Sequence, residues 1–213
     1  MKPKINEICS ESIKNILEAR EYDENLKTKY SQMISELIRE KIKEPLISFN
    51  FYVSVYLSFA LCPSVVSFRN FCFPNSDIQV YTEYSDQNWS CSVIVFAFKL
   101  ANRKISLHKF NDHKAATIDK ISVTAQKFLI GKTYYSQDES LKLSSDLAQA
   151  IIDSLSEEFK NFAYSANVFI TRKDSGFVSN VTGIAHKDLD GHIIQEFSTI
   201  GISLLVHLFG FSI

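Results

Sequence analysis

Glycine, proline and net charge are all scarce in this chain. Its 213 residues include six glycines and four prolines, too few for a long disordered tract or a glycine-rich loop that cradles phosphate. A formal net charge of −1 provides no basic surface for nucleic acid. Neither a P-loop nor a Gly-x-Ser-x-Gly nucleophile elbow occurs. The opening Met-Lys-Pro-Lys-Ile leads into a polar helical pattern, so no signal peptide is expected. Charge is missing between Glu44 and Arg69, a length that would suit a membrane span. Yet Asn50, Ser54 and Ser58 interrupt that stretch with the alternation of a strand, and Pro63 lies within it. We therefore expect no membrane partner.

Apolar residues are plentiful, at 46% of the chain with 17 phenylalanines, so core formation is not limiting. They are also written twice. A shift of 113 residues places Tyr22 on Tyr135 and keeps both halves in step, without a gap, from Ile5/Ile118 to Leu100/Ile213. Ile8 meets Ile121, Ile38 meets Ile151, Phe49 meets Phe162, Val55 meets Val168, Asp77 meets Asp190 and Phe98 meets Phe211. A period of this length is a small domain, not a solenoid unit, so the chain holds two copies of one domain. The expected boundaries are 1–100 for the first copy, 101–115 for a solvated linker and 116–213 for the second copy.

Each copy opens with two helical patterns, Ile5-Ile8-Ser12-Ile16 then Tyr30-Ile34-Leu37-Ile38-Ile42 in the first. Pro45 falls just past the expected end of the second helix. Four strand signals follow: Phe49–Phe59, Val65–Phe73, Ile78–Tyr84 and Ser90–Leu100, matched by Phe162–Arg172, Phe177–His186, His192–Phe197 and Ile202–Ile213. Pro63 and Gly176 break the chain after the first strand of each copy, and turn residues Asn75-Ser76-Asp77 and Asp188-Leu189-Asp190-Gly191 separate strands two and three. Helices followed by strands indicate an α+β class, two helices on a four-stranded antiparallel sheet, made twice.

Candidates for chemistry are few. Cys9, Cys62, Cys72 and Cys91 all fall in the first copy, opposite Ser122, Ser175, Ala185 and Leu204, so no disulfide framework is shared by both copies and a reduced chain is expected. His186 and His192 bracket Asp188 and Asp190, but the spacing matches no ligand motif and the first copy has Phe73 and Gln79 at the histidine positions. The aspartates are better read as turn residues. His207 sits in an apolar strand as a core or edge histidine, and Glu83 and Glu196 recur as exposed strand residues. No catalytic residue, metal site or cofactor is expected, and the chain is read as not an enzyme.

One family likeness emerges from these residues. Tyr135 before the second helix, Gly176-Phe177 opening the second strand, Asp190-Gly191 in the turn and the ending Phe209-Gly210-Phe211-Ser212-Ile213 make the second copy resemble the Tctex-type dynein light chains. The first copy resembles them through Tyr22, Asp77 and Phe96-Ala97-Phe98-Lys99-Leu100, with Ile78 for the turn glycine and Ala97 for the glycine of the ending. The family's aromatic pair late in strand two is replaced by Ile184-Ala185 in one copy and Phe71-Cys72 in the other.

The resemblance implies homodimer-forming light chains that exchange strand two and bind extended peptides, notably of dynein intermediate chains. Two tandem Tctex-like domains in one chain would then form an intramolecular strand-exchanged pseudo-dimer, with Val65–Phe71 in the sheet of the second copy and Phe177–Ile184 in that of the first. The expected peptide-binding edges are Val65, Val66, Ser67, Phe68, Arg69, Asn70 and Phe71, and Phe177, Val178, Ser179, Asn180, Val181, Thr182 and Gly183. Arg69 would favour an acidic ligand residue and its counterpart Thr182 would not. The implied partners are dynein intermediate chain or cargo peptides, at a cytoplasmic, cytoskeleton-associated location that includes the cilium. An alternative within the same resemblance is a peptide-binding scaffold of cytoskeleton or cilium that acts outside the dynein motor.

Overall fold

A computed structural model describes residues 1–61, 64–71, 77–100, 108–186 and 188–213. Cys62, Pro63, Cys72, Phe73, the Asn75-Ser76 part of the turn and residues 101–107 of the expected linker lie outside the described residues. The order of elements is α1 (Lys2–Leu17), α2 (Lys27–Ile42), β1 (Phe49–Phe59), β2 (Ser64–Phe71), β3 (Ile78–Ser85), β4 (Trp89–Lys99), then α3 (Phe110–Leu129), α4 (Gln137–Glu158), β5 (Phe162–Arg172), β6 (Val178–Ile184), β7 (Gly191–Ser198) and β8 (Ile202–Ser212). Two helices and four strands thus occur twice, as the repeat demands. The differences from the sequence reading lie at element ends. Helix α3 begins at Phe110, inside the stretch expected to be linker, and β6 stops at Ile184, short of His186.

The strands form two antiparallel sheets of four, ordered β3-β4-β1-β6 and β2-β5-β8-β7. Each sheet contains one strand from the other copy, so the second strands are exchanged. The exchange is reciprocal and in the same register: Val55 lies opposite Asn180 in one sheet, and Val168 opposite Ser67 in the other. The chain accordingly divides into two compact units, residues 1–62 with 74–101 and 175–184, and residues 63–73 with 102–174 and 185–213. Gly176, at φ +62, supplies a left-handed backbone where the chain approaches β6.

In the first unit, α1 lies over β3 and β4 while α2 lies over β1 and the exchanged β6. Ile5, Ile13, Ile34, Ile38, Phe51, Val53, Val93 and Val95 are among the residues that close this core. In the second unit α4 covers β5 and the exchanged β2, and α3 covers β7 and β8. Its core includes Phe110, Ile121, Leu147, Ile151, Val168, Ile170, Leu204 and Val206. The polar alternation of β1 does not mark a wet face. Asn50, Ser54 and Ser58 are buried, as are Tyr52 and Tyr56, so the absence of charge over this stretch follows from burial on both faces of the strand. Among the described residues, no helix is long and apolar enough to cross a membrane.

Candidate functional site

Strands β6 and β2 are sheet edges. Each hydrogen-bonds to a single described strand, β1 for β6 and β5 for β2. An edge strand presents backbone donors and acceptors along its open side, and an extended peptide can satisfy them. The candidate residues therefore fall into two separate rows. Val65, Val66, Ser67, Phe68, Arg69, Asn70 and Phe71 run along β2, and Val178, Ser179, Asn180, Val181, Thr182 and Gly183 run along β6, with Phe177 just before it.

Alternation along each strand sends every second side chain toward a helix. In the first unit Ser35 Oγ of α2 donates to Asn180 Oδ1 at 2.7 Å, and one turn further along the helix Arg39 Nη1 donates to Thr182 Oγ1 at 3.3 Å. Lys27 at the start of α2 donates to the Gly176 carbonyl and pairs with Glu24, which fixes the entry to β6. In the second unit Ser144 Oγ of α4 donates to Ser67 Oγ at 2.8 Å, and Arg69 Nη2 donates to Ser145 Oγ at 2.6 Å. Ser67 and Asn180 are equivalent under the repeat, as are Arg69 and Thr182. Each edge is thus tied to its helix by a seryl hydroxyl, and each has a guanidinium at its next helix-facing position.

The source of that guanidinium differs. Arg69 belongs to the strand and is exposed, whereas Arg39 reaches Thr182 from the helix. Arg39 also meets Glu40 at 2.8 Å, and Lys43 meets the same carboxylate at 2.6 Å. Lys43 first and Arg39 second hold the Glu40 carboxyl below its ordinary range. The sequence set Ser67, Arg69 and Asn70 against Asn180, Thr182 and Gly183 and singled out Arg69 for its charge, but could not reveal Arg39, because helix-to-strand contact across the exchange leaves no local pattern.

Gly183 is required by close approach. A Cβ there would run into the Phe51 carbonyl oxygen and the Tyr52 side chain of β1. The acidic turn residues also have a structural role. Asp77 Oδ1 accepts the Lys99 amide at 3.0 Å, and Asp190 Oδ1 accepts the Ser212 amide at 3.1 Å, the same contact in both units. Asp190 Oδ2 also accepts the His186 amide at 2.8 Å, so its carboxylate is turned to backbone rather than outward between the histidines. No group of three His, Cys, Asp or Glu side chains among the described residues is arranged to hold a metal. Cys9 and Cys91 are buried free thiols, and burial pushes Cys9 up to about 12. His207 is fully buried in β8, and desolvation holds it down at about 3, so it is neutral in the fold.

Two helices on an antiparallel sheet, made twice, with second strands exchanged, define a tandem light-chain architecture. The model of the Tctex-1 family matches residues 1–98 and 110–211, nearly the whole of each copy, and the chain belongs to that family. The family is one of non-enzymatic dynein light chains. No curated protein matches the chain.

Proposed function

We propose that this chain is a non-catalytic dynein light chain-like adaptor that binds extended peptide segments, of dynein intermediate chain or of cargo, by adding them as strands along β6 and β2. The observation that carries the reading is that each exchanged strand pairs with one strand alone among the described residues and so forms a sheet edge. The opposite edges are less suited. Strands β3 and β7 carry the exposed carboxylates Glu83 and Glu196, and charge is a usual means of blunting an edge. By contrast β6 has no charged residue and β2 has only Arg69. Membership of the family supports a binding role over a chemical one.

The exchange also supports a single chain as the working unit, one chain doing what two light chains do. Covalent linkage removes the association cost two free chains would face, and two edges on one chain offer bivalent capture. Light scattering should return a mass near 24.3 kDa, and a mass near twice that value would refute the single-chain unit. Binding is tested by titrating the full chain with a peptide from dynein intermediate chain, and motor membership by whether intermediate chain co-purifies from the source cell. Saturable binding that is lost when alternate peptide amides are N-methylated supports strand addition. Binding that ignores N-methylation overturns it.

A further inference from the structure

Helix α2 ends at Ile42, although Lys43 keeps helical backbone and the Leu46 amide closes on the Ile42 carbonyl at 2.9 Å, as Phe159 closes on Leu155 at 2.8 Å in the other copy. Helix-to-strand contacts advance in step, Ser35 with Asn180 and then Arg39 with Thr182, so the next turn would lie over Ile184. Lys43 holds that place, the regular helix stops at Ile42, and Pro45 follows. Proline disfavours helical backbone in the residue before it and lacks the amide that a further turn would use. In the other copy Glu158 stands at the position of Pro45, and α4 continues to include it.

Beside this end of α2 lies a hollow of about 450 Å³, lined by Lys43, Glu44, Leu46, Ile47, Phe49, Phe51 and Ile184. Leu46, Phe49 and Phe51 form a closed floor, all under a tenth exposed, while Ile47 is 83% and Ile184 38% exposed. Ile184 is the last residue of β6, so the hollow is continuous with the sheet edge that strand forms. Directly opposed residues of a sheet share a face, and Ile184 lies opposite Phe51, a residue of the helix-side core. A peptide strand added to β6 would present every second side chain to this same face. In the second copy Lys160 occupies the position of Ile47 and Tyr164 that of Phe51. Lys160 is exposed, which places a charge where the first unit has an apolar wall.

We infer that the hollow is an anchor subsite for one large apolar side chain, leucine, isoleucine, methionine or phenylalanine, of the extended peptide that adds to β6, and that the charge of Lys160 disfavours such an anchor at the β2 edge. This rests on strand addition as the mode of binding, and it makes the two edges select different peptides. The β6 edge requires an apolar residue at a fixed place near the end of the ligand strand beside Ile184. Desolvating a side chain of that size changes affinity by about tenfold or more.

The experiment uses the full chain, methyl-labelled at isoleucine, and peptides selected on it from a random-sequence library. Peptides that shift the Ile184 methyl should share one large apolar residue, and replacing that residue by serine should weaken them about tenfold. Ile47→Lys, at an exposed position, should do the same without unfolding the chain. Pro45→Glu, which copies the other unit, should lengthen α2 and also weaken them. N-methylation of alternate ligand amides separates the two readings. Peptides that lose binding on N-methylation but ignore both variants and the serine replacement leave strand addition standing and overturn the anchor. Peptides that ignore N-methylation yet respond to Ile47→Lys overturn strand addition, and with it the anchor as stated. Enrichment of no peptide overturns both.

Discussion

The two units build one fold from different parts. In the second unit the ring of Phe110 lies across Gly191 and Gly210, which are cross-strand partners, and a Cβ on either glycine would collide with it. In the first unit the same pair of positions is Ile78 opposite Ala97, and the sheet supplies the volume itself. A second exchange of parts occurs at the loop between the helices. Trp89 Nε1 donates to the Arg20 carbonyl at 3.0 Å in the first unit. In the second, Gly201 lets its backbone approach the Thr133 carbonyl, at the position equivalent to Arg20. What is held constant is the backbone contact and the filled space. What varies is which residue provides the atoms, as expected of cores that demand native density rather than particular side chains.

The sharpest way to break this comparison is to empty the second unit's extra ring. Phe110 is 1% exposed, and Phe110→Ala should cost about 3–5 kcal/mol in chemical denaturation. Gly210→Ala, which copies Ala97, should cost about 1–3 kcal/mol by overpacking. The two changes together should cost less than their sum, because the added methyl enters space the ring has left. Strict additivity would mean that Phe110 and the glycine pair do not share a site.

The exchange itself is tested by Gly183→Ala. This residue belongs to the second copy in sequence but to the first unit in space. Its added methyl meets backbone of β1, so a loss of about 1–3 kcal/mol is expected from strain. Hydrogen exchange should locate the loosening in β1 and α2. Loosening confined to β5 and α4 would contradict the exchange.

Much of this arrangement was legible in the sequence, and the limits are instructive. Element order came from period and repeat because buried apolar positions recur at fixed spacing, as in Ile34, Ile38 and Ile42 of α2 or the alternate valines of β1. Which sheet β2 and β6 would join came from the family resemblance, since a strand pairs equally well by its own pattern in either sheet. The start of α3 at Phe110 was hidden because its first turn, Phe110-Asn111-Asp112-His113, is polar apart from the one ring that reaches the core. The hollow at Ile184 was not legible either. Pro45 signalled the end of a helix, but what lies beside that ending depends on a strand from the other copy.

His207 gives a comparison between units that pH can read. Its counterpart Ile94 cannot titrate, and both side chains are buried. Burial depresses His207 from an ordinary 6.5 to about 3 in the fold, while the unfolded chain keeps the ordinary value. The unfolded state therefore binds the extra proton between these limits. Stability is full above about 6.5 and declines as pH falls toward 3, by up to about 1.4 kcal/mol per pH unit. His207→Ile, which copies the first unit, should flatten this slope in denaturant titrations at stepped pH. An unchanged slope would assign the acid sensitivity to other groups.

The smallest expected effect concerns the two guanidinium groups, and it bears most directly on function. Arg69 stands on the β2 edge and Arg39 leans over the β6 edge, at equivalent positions of the two sheets. A carboxylate on an added peptide would meet a guanidinium at either place, but not on equal terms. Arg39 is already paired with Glu40, which Lys43 shares. At the β6 edge an incoming carboxylate has to compete with that carboxylate, and at β2 it approaches an arginine carried by the strand itself and bonded to Ser145 of α4. Exposed ion pairs contribute little, so the preference is a few-fold at most and should weaken with added salt. Titration with an acidic extended peptide should show two unequal sites. Arg69→Glu should weaken one of them, and Glu40→Gln should strengthen the other. Two identical sites in the unaltered chain, or a response to Arg69→Glu shared equally by both, would show that the edges do not differ in this way.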